Sequence, residues 1–263
     1  MLSRLDVEPD RPERRHSPLE FEAAANSDDP YWAFYAEVAS AQLADWLPAS
    51  PARVLDVSGP GALFARQMVA AGHEVIRVLP KPVATAHEAR GPGRLSHVVG
   101  DTRSLDWFAP ASLDAVLAEG RALSFCLATE TTLDEIRRVL RPGGRLLLCV
   151  DSLLLGLARL AEQHRWAELS DAPRADVVLV PSPDGTITRC FWPEELSALL
   201  VDSGLEIDWI RPRTVLSAEA VNRAVSEDVA CFPTLVRTEI ELATEREGES
   251  IGMHLIASAR RPG

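Results

Sequence analysis

Lysine is almost missing from this chain: of 263 residues only Lys81 is one, and arginine supplies the rest of the 27 basic side chains against 39 acidic ones. The arginine bias reads as genomic composition, not as function. A formal charge of −12 excludes the polyanion-binding classes, because a nucleic-acid binder displaces phosphate counterions with a basic face. A neutral or cationic small substrate fits that charge better. Cysteine is also scarce, and Cys126, Cys149, Cys190 and Cys231 form no CxxC pair, which speaks against a zinc site or a redox dithiol and for reduced cytosolic thiols. Long apolar runs are lacking too. The longest, "LLLCVDSLLLGLARLA", is broken by Asp151 and is too short on either side to cross a bilayer. The opening "MLSRLDVEPDRPERRHSPLE" has no apolar core of a signal peptide. The expectation is a cytoplasmic protein with no membrane, nucleic-acid or metal partner.

What is present is ordinary globular material, 46% apolar and 25% charged, enough for one large domain with a substantial core. Residues 1–20 read as a mobile tail. "DDPYWAFYAEVASAQLADWLP" places Pro30 at a helix start and ends before Pro48, so residues 21–50 are expected to form an N-terminal cap helix. Strands then alternate with helices: "ARVLDV", helix "ALFARQMVAAG" stopped by Gly72, "HEVIRVL", "LSHVVG", "LDAVLAEG", helix "TTLDEIRRVL", turn "RPGG" and strand "RLLLCV". Continuous apolar strands between helices predict a parallel sheet covered on both faces. Residues 51–150 are therefore expected to be its cofactor-binding core, and ligands in such sheets sit beyond the carboxyl ends of the strands where the winding reverses.

Residues 151–263 should supply lid elements and the remaining half of the sheet. "LLLGLARLAEQHRWAEL" reads as one helix, "ADVVLVPSPDGTITRCF" as a hairpin and "WPEELSALLVDSG" as a helix. "LEIDWIRP" follows as a strand, "PTLVRTEIELATERE" as a helix and "SIGMHLIASARR" as a closing strand.

Taken together, "RVLDVSGPG", "GHEV", "GDTRSL", "LDAVLAEG" and "IRRVLRPGGRLLL" resemble the class I S-adenosylmethionine-dependent methyltransferases. The resemblance covers nearly all of 21–263 as a single domain. It implies an α/β Rossmann-like fold: a seven-stranded mostly parallel sheet with an antiparallel last strand, helices on both faces and a lid. By the same resemblance Asp56, Ser58, Gly59, Gly61, Leu79, Asp101, Thr102 and Gly120 occupy the positions that hold the donor, S-adenosylmethionine. Two of the family's features differ. Its three loop glycines are Ser58, Pro60 and Ala62 here, and its ribose-binding acid is Leu79. Pro60 has no N–H and makes Gly59 extended, so the loop takes a different path and the donor is held weakly or atypically.

Methyl transfer needs positioning and a dry pocket more than a particular catalytic group. Glu119, at the end of the fourth strand, is the candidate base, and the competing reading pairs it with Arg121. Tyr31, Tyr35, Arg121 and Arg189 are candidate acceptor-binding residues, against packing for the tyrosines and an ordinary hairpin role for Arg189. No histidine stands out: His73 and His97 begin strands, His16 lies in the tail, and His87, His164 and His254 have no evident partner. The leading expectation is a methyltransferase with a small-molecule acceptor. The alternative is a methyltransferase fold that has lost methyl transfer and serves as a binding module, a partner subunit or an enzyme of other chemistry. A nicotinamide enzyme is disfavoured, since no G-x-G-x-x-G follows the first strand.

Overall fold

The computed structural model describes residues 29–48, 51–59, 63–82, 91–175, 177–182 and 185–263. The tail 1–20, along with His16, Pro60, Gly61, Ala62 and His87, lies outside them. Helix α1 (Pro30–Trp46) starts where Asp29 accepts the Tyr31 N–H at 3.0 Å. The chain then runs β1 (Arg53–Asp56), α2 (Leu63–Ala70), β2 (Glu74–Leu79), β3 (Arg94–Val99) and β4 (Leu113–Ala118). After these come α3 (Thr129–Val139) and β5 (Leu140–Asp151). Gly72, at φ 92°, ends the turn after α2 as expected.

Seven strands form one sheet in the order β3-β2-β1-β4-β5-β9-β8, where β8 spans Glu206–Arg213 and β9 spans His254–Arg260. β9 runs antiparallel to both of its neighbours, β5 and β8. Successive residues alternate between faces. Val54, Val75, Leu117 and Leu147 join Leu43, Trp46 and Met68 of α1 and α2 in one core. Leu55, Ile76, Val116 and Leu146 join Leu133 and Ile136 of α3 in the other. That is why the strands read as unbroken apolar runs. The winding reverses between β1 and β4, placing a cleft at their carboxyl ends. The "RPGG" turn shifts the β4–β5 register between Leu113 and Ala115, with Gly143 at φ 75°.

The second half departs from the expectation in two places. Residues 153–169 are not one helix: α4 (Leu153–Glu162) and α5 (Trp166–Asp171) are separated at His164, which takes φ 56°. A left-handed residue cannot continue a helix, and this one closes α4 through its N–H to the Ala161 carbonyl. The hairpin β6 (Val178–Pro181) and β7 (Ile187–Cys190) packs on α4, and α6 (Pro193–Asp202) follows. An unanticipated helix, α7 (Ala218–Glu227), then joins α8 (Phe232–Glu245). Val221, Val225 and Val236 of this pair close over Phe34 and Val38 of α1. The three helices make a small core of their own.

Candidate functional site

The loop leaving β1 is built around the Asp56 carboxylate. It accepts the Ser58 N–H at 2.9 Å and the Arg77 Nε–H at 3.1 Å. Arg77 rises from β2 and with its other arm donates to the Gly59 carbonyl at 2.8 Å. One guanidinium thus ties both ends of the loop, a role not anticipated for Arg77. Burial pushes the Asp56 carboxyl upward, against the lowering effects of Arg77 and Ser58. The Ser58 hydroxyl, at a position where the family has glycine, accepts the Glu119 N–H at 2.9 Å and stitches β1 to β4. Gly120 follows at φ 67°, and a Cβ there would stand 2.8 Å from the Ser58 carbonyl oxygen. That close approach requires glycine.

Above this seam opens a cavity of about 910 Å³, within the range of small-molecule sites. Val57, Ser58 and Gly59 form one wall and Pro80 closes the β2 side. Asp101 and Thr102 stand after β3, and Gly120, Ala122 and Phe125 stand after β4. Asp101 is gripped by Arg103, whose Nε lies 3.0 Å from both carboxylate oxygens. Hydrogen bonds from that arginine hold the Asp101 carboxyl below its ordinary range. Leu79 is 1% exposed and contributes nothing to the lining.

Behind Gly120 lies a buried polar network. The Glu119 carboxylate meets the two terminal nitrogens of Arg213 at 2.9 and 2.8 Å, with neither side chain exposed. Burial alone would lower the Arg213 pKa, but Glu119 outweighs it and holds the group well above its ordinary value. Asp151, at the end of β5, receives Arg121 at 3.3 Å and Arg159 of α4 at 3.2 Å. His254 brings Nε2 to 3.6 Å from Asp151 and Nδ1 to 2.7 Å from the Thr214 hydroxyl. Desolvation pushes the His254 pKa down to about 3, so the ring is neutral. Tyr35 places its hydroxyl 3.4 Å from Arg213 and 3.9 Å from the Cys149 sulfur.

Residues 55–148, from β1 to β5, match the methyltransferase domain model. That stretch is similar to a methyltransferase domain. It is 33% identical over 172 residues to a malonyl-[acyl-carrier protein] O-methyltransferase of Methylococcus capsulatus, matching 61% of this chain and 60% of that one. It is 30% identical over 135 residues to a bifunctional biotin biosynthesis protein of Cellvibrio japonicus, covering 50% of this chain and 26% of that protein. The matches therefore span less than two thirds of these relatives' own lengths. Among solved structures, a 1,6-didemethyltoxoflavin-N1-methyltransferase of Burkholderia thailandensis, with S-adenosylhomocysteine bound, superposes with a TM-score of 0.53 at 20% identity. That alignment covers 97% of this chain and 94% of the other.

Within the methyltransferase domain the sequence-derived residues divide. Ser58, Gly59, Asp101, Thr102 and Gly120 come together around the cavity, and Asp56 sits buried beneath, organising the loop. These fit a nucleoside-type donor: the space suffices and Gly120 lets the two walls approach. Among the described residues the β2 end offers no carboxylate for a ribose.

The remaining candidates were placed differently. Glu119 does not pair with Arg121: both of its oxygens are taken by Arg213, which comes from the carboxyl end of β8 two strands beyond β5 in the sheet order. Arg189 does not line the cavity. It is held by Glu130 and Glu195, each at 2.9 Å, and stacks on Phe191 with its guanidinium 5.0 Å from the ring centroid. Tyr31 and Tyr35 sit beside the network and not on the cavity lining. His254 does have partners, both supplied by distant strand ends. Asp151, Arg159, Arg213 and His254 escaped the sequence reading. The one available signal was Asp151, a charge ending an otherwise apolar strand.

Proposed function

We propose that the protein is an S-adenosylmethionine-dependent methyltransferase with a small-molecule acceptor, formed by 21–263 as one domain whose last third closes over the sheet. The observation that carries this reading is the cavity over the Ser58–Gly120 seam, at the winding reversal of a methyltransferase domain. Asp101 and Thr102 are the residues to receive the adenine end, and Asp56 with Gly59 orders the loop toward the amino-acid end. The donor supplies a methyl group already activated by its sulfonium. The chain's own residues then have to align the acceptor and exclude water. The helices α1, α7 and α8, which pack on one another, and the hairpin on α4 are additions to the sheet that favour a small acceptor.

Isothermal titration with S-adenosylmethionine and S-adenosylhomocysteine tests the proposal. Micromolar dissociation constants are expected, weakened at least tenfold by Gly120→Ala. No heat and no thermal shift at millimolar ligand would mean that the fold persists without the donor.

A further inference from the structure

We infer that Arg103 competes with the donor's adenine for Asp101: the base gains the carboxylate only by displacing the guanidinium, so Arg103 sets both the affinity and the base preference of the cavity. The inference rests on the transferase reading above, in which Asp101 receives the adenine end, and deepens it.

Among the described residues that line the cavity only Asp101 and Arg103 carry charge, and they hold each other. Oδ1 of Asp101 accepts the Arg103 backbone N–H at 2.9 Å and the Nε–H at 3.0 Å. Oδ2 accepts the same Nε–H at 3.0 Å and a terminal N–H at 2.6 Å. The side-chain bonds from Arg103 hold the Asp101 carboxyl below its ordinary range, so it is ionised at neutral pH. An ionised carboxylate only accepts, through about four lone-pair sites, and these contacts occupy them. The 6-amino group of adenine, a donor, therefore reaches a lone pair of Asp101 only after the guanidinium has swung away.

The carboxylate itself keeps its place when the guanidinium leaves. Its Oδ1 is still held by the Arg103 backbone N–H, and the loop that carries it is pinned from below. The Ser104 N–H donates to the Asp101 carbonyl at 3.2 Å. Glu135 of α3 accepts the Leu105 N–H at 2.9 Å, and Arg138 donates to the Leu105 and Phe108 carbonyls at 2.7 and 2.9 Å. On the near side the Trp107 ring lies against Gly100, where a Cβ would stand 2.6 Å from it. The Arg103 side chain is by contrast 60% exposed, and water can take over its hydrogen bonds. The acceptor is fixed, then, and its present partner is the part that moves.

Exposure also sets the size of the effect. An ion pair between side chains this open to solvent is weak, so the base displaces the guanidinium at a cost of about two- to fivefold in affinity. The same exchange governs which base is accepted. Adenine brings a hydrogen-bond donor at C6, whereas hypoxanthine brings an oxygen there, which a bare carboxylate repels and a guanidinium accommodates. With Arg103 present a hypoxanthine ligand keeps a partner, and the preference for adenine is blunted. Without Arg103 the carboxylate stands alone and the preference sharpens.

The test is a titration of the full chain and of its Arg103→Ala variant with adenosine, inosine and S-adenosylhomocysteine. The substitution is expected to tighten adenosine and S-adenosylhomocysteine about two- to fivefold and to weaken inosine, so that the adenosine-to-inosine affinity ratio rises about fivefold or more. Raising potassium chloride from about 20 to about 500 mM should tighten adenosine roughly twofold in the unaltered chain and leave the variant unmoved, because salt screens the ion pair and the nucleoside is uncharged. An unchanged or weaker adenosine affinity in Arg103→Ala, an unchanged affinity ratio, or no response of either protein to millimolar adenosine would overturn the inference. Its failure is distinct from that of the transferase reading. S-adenosylhomocysteine binding that Arg103→Ala leaves unaltered would remove the competition and keep the transferase. Adenosine binding tightened by the variant, in a protein that ignores S-adenosylhomocysteine, would keep the competition and remove the transferase.

Discussion

Arg213, from the end of β8, and Glu119, from the end of β4, face each other through two parallel hydrogen bonds of 2.9 and 2.8 Å with no exposure to solvent. The pair joins the antiparallel half of the sheet to the parallel half directly behind the donor cavity. It also removes from acid–base work the carboxylate that the sequence put forward as a base.

Breaking this pair on one side strands a charge in the interior. Arg213→Met or Glu119→Gln is expected to lower unfolding free energy by about 3–5 kcal/mol, read from urea denaturation. The double variant Arg213→Met/Glu119→Leu should recover most of that loss, because no uncompensated charge remains. Additive losses would show that the residues act independently.

The β1–β4 seam separates two kinds of damage. Ser58→Ala leaves the Glu119 N–H without its acceptor at 2.9 Å, a cost of about 1–3 kcal/mol, and keeps the cavity's shape. Gly120→Ala forces a Cβ against the Ser58 carbonyl at φ 67°, so the loop must move and donor affinity should fall along with stability. Calorimetric binding beside thermal melts distinguishes them; equal affinities in both variants would contradict the seam's role.

Leu79 invites an attempted repair. Leu79→Asp restores the residue type that the resembling family uses at the ribose, yet the side chain is 1% exposed and lies off the cavity. We expect the substitution to destabilise by several kcal/mol, the cost of a buried unpaired charge, about 3 or more. Donor affinity should not improve. A tighter dissociation constant for S-adenosylhomocysteine would show that the β2 end can turn outward.

His254 sets a pH dependence. Its pKa falls from 6.5 to about 3 on folding, so between these values the unfolded chain binds a proton that the folded chain does not. Stability contributed by this group is therefore whole above pH 6.5 and declines as pH drops toward 3, on the order of 1 kcal/mol per pH unit. His254→Asn should flatten the slope between pH 6.5 and 5, above the range where ordinary carboxylates titrate. An unchanged slope would place its origin elsewhere.

Much of this molecule could be read from local pattern. Unbroken apolar runs such as "VLDV" and "RLLLCV" announced strands buried on both faces, and the cavity residues Ser58, Gly59, Asp101, Thr102 and Gly120 were implied by the family resemblance of the segments that follow those strands. Helix α7 was passed over because it is short and mostly polar, with only Val221 and Val225, one turn apart, buried on its inner face. The break at His164 was hidden by continuous helical spacing around it, since a single left-handed residue leaves no mark on apolar periodicity.

By itself, then, the sequence determined the succession of strands and most of the helices, because burial imposes periods that composition must obey, and its motifs carried the methyltransferase resemblance of residues 55–148. Only the tertiary structure decided which arginine answers which acid. Arg213 meets Glu119 across 94 positions and Arg121 meets Asp151 across 30, and an ion pair has no period: it depends on which strand ends the sheet order brings within a few ångströms of each other.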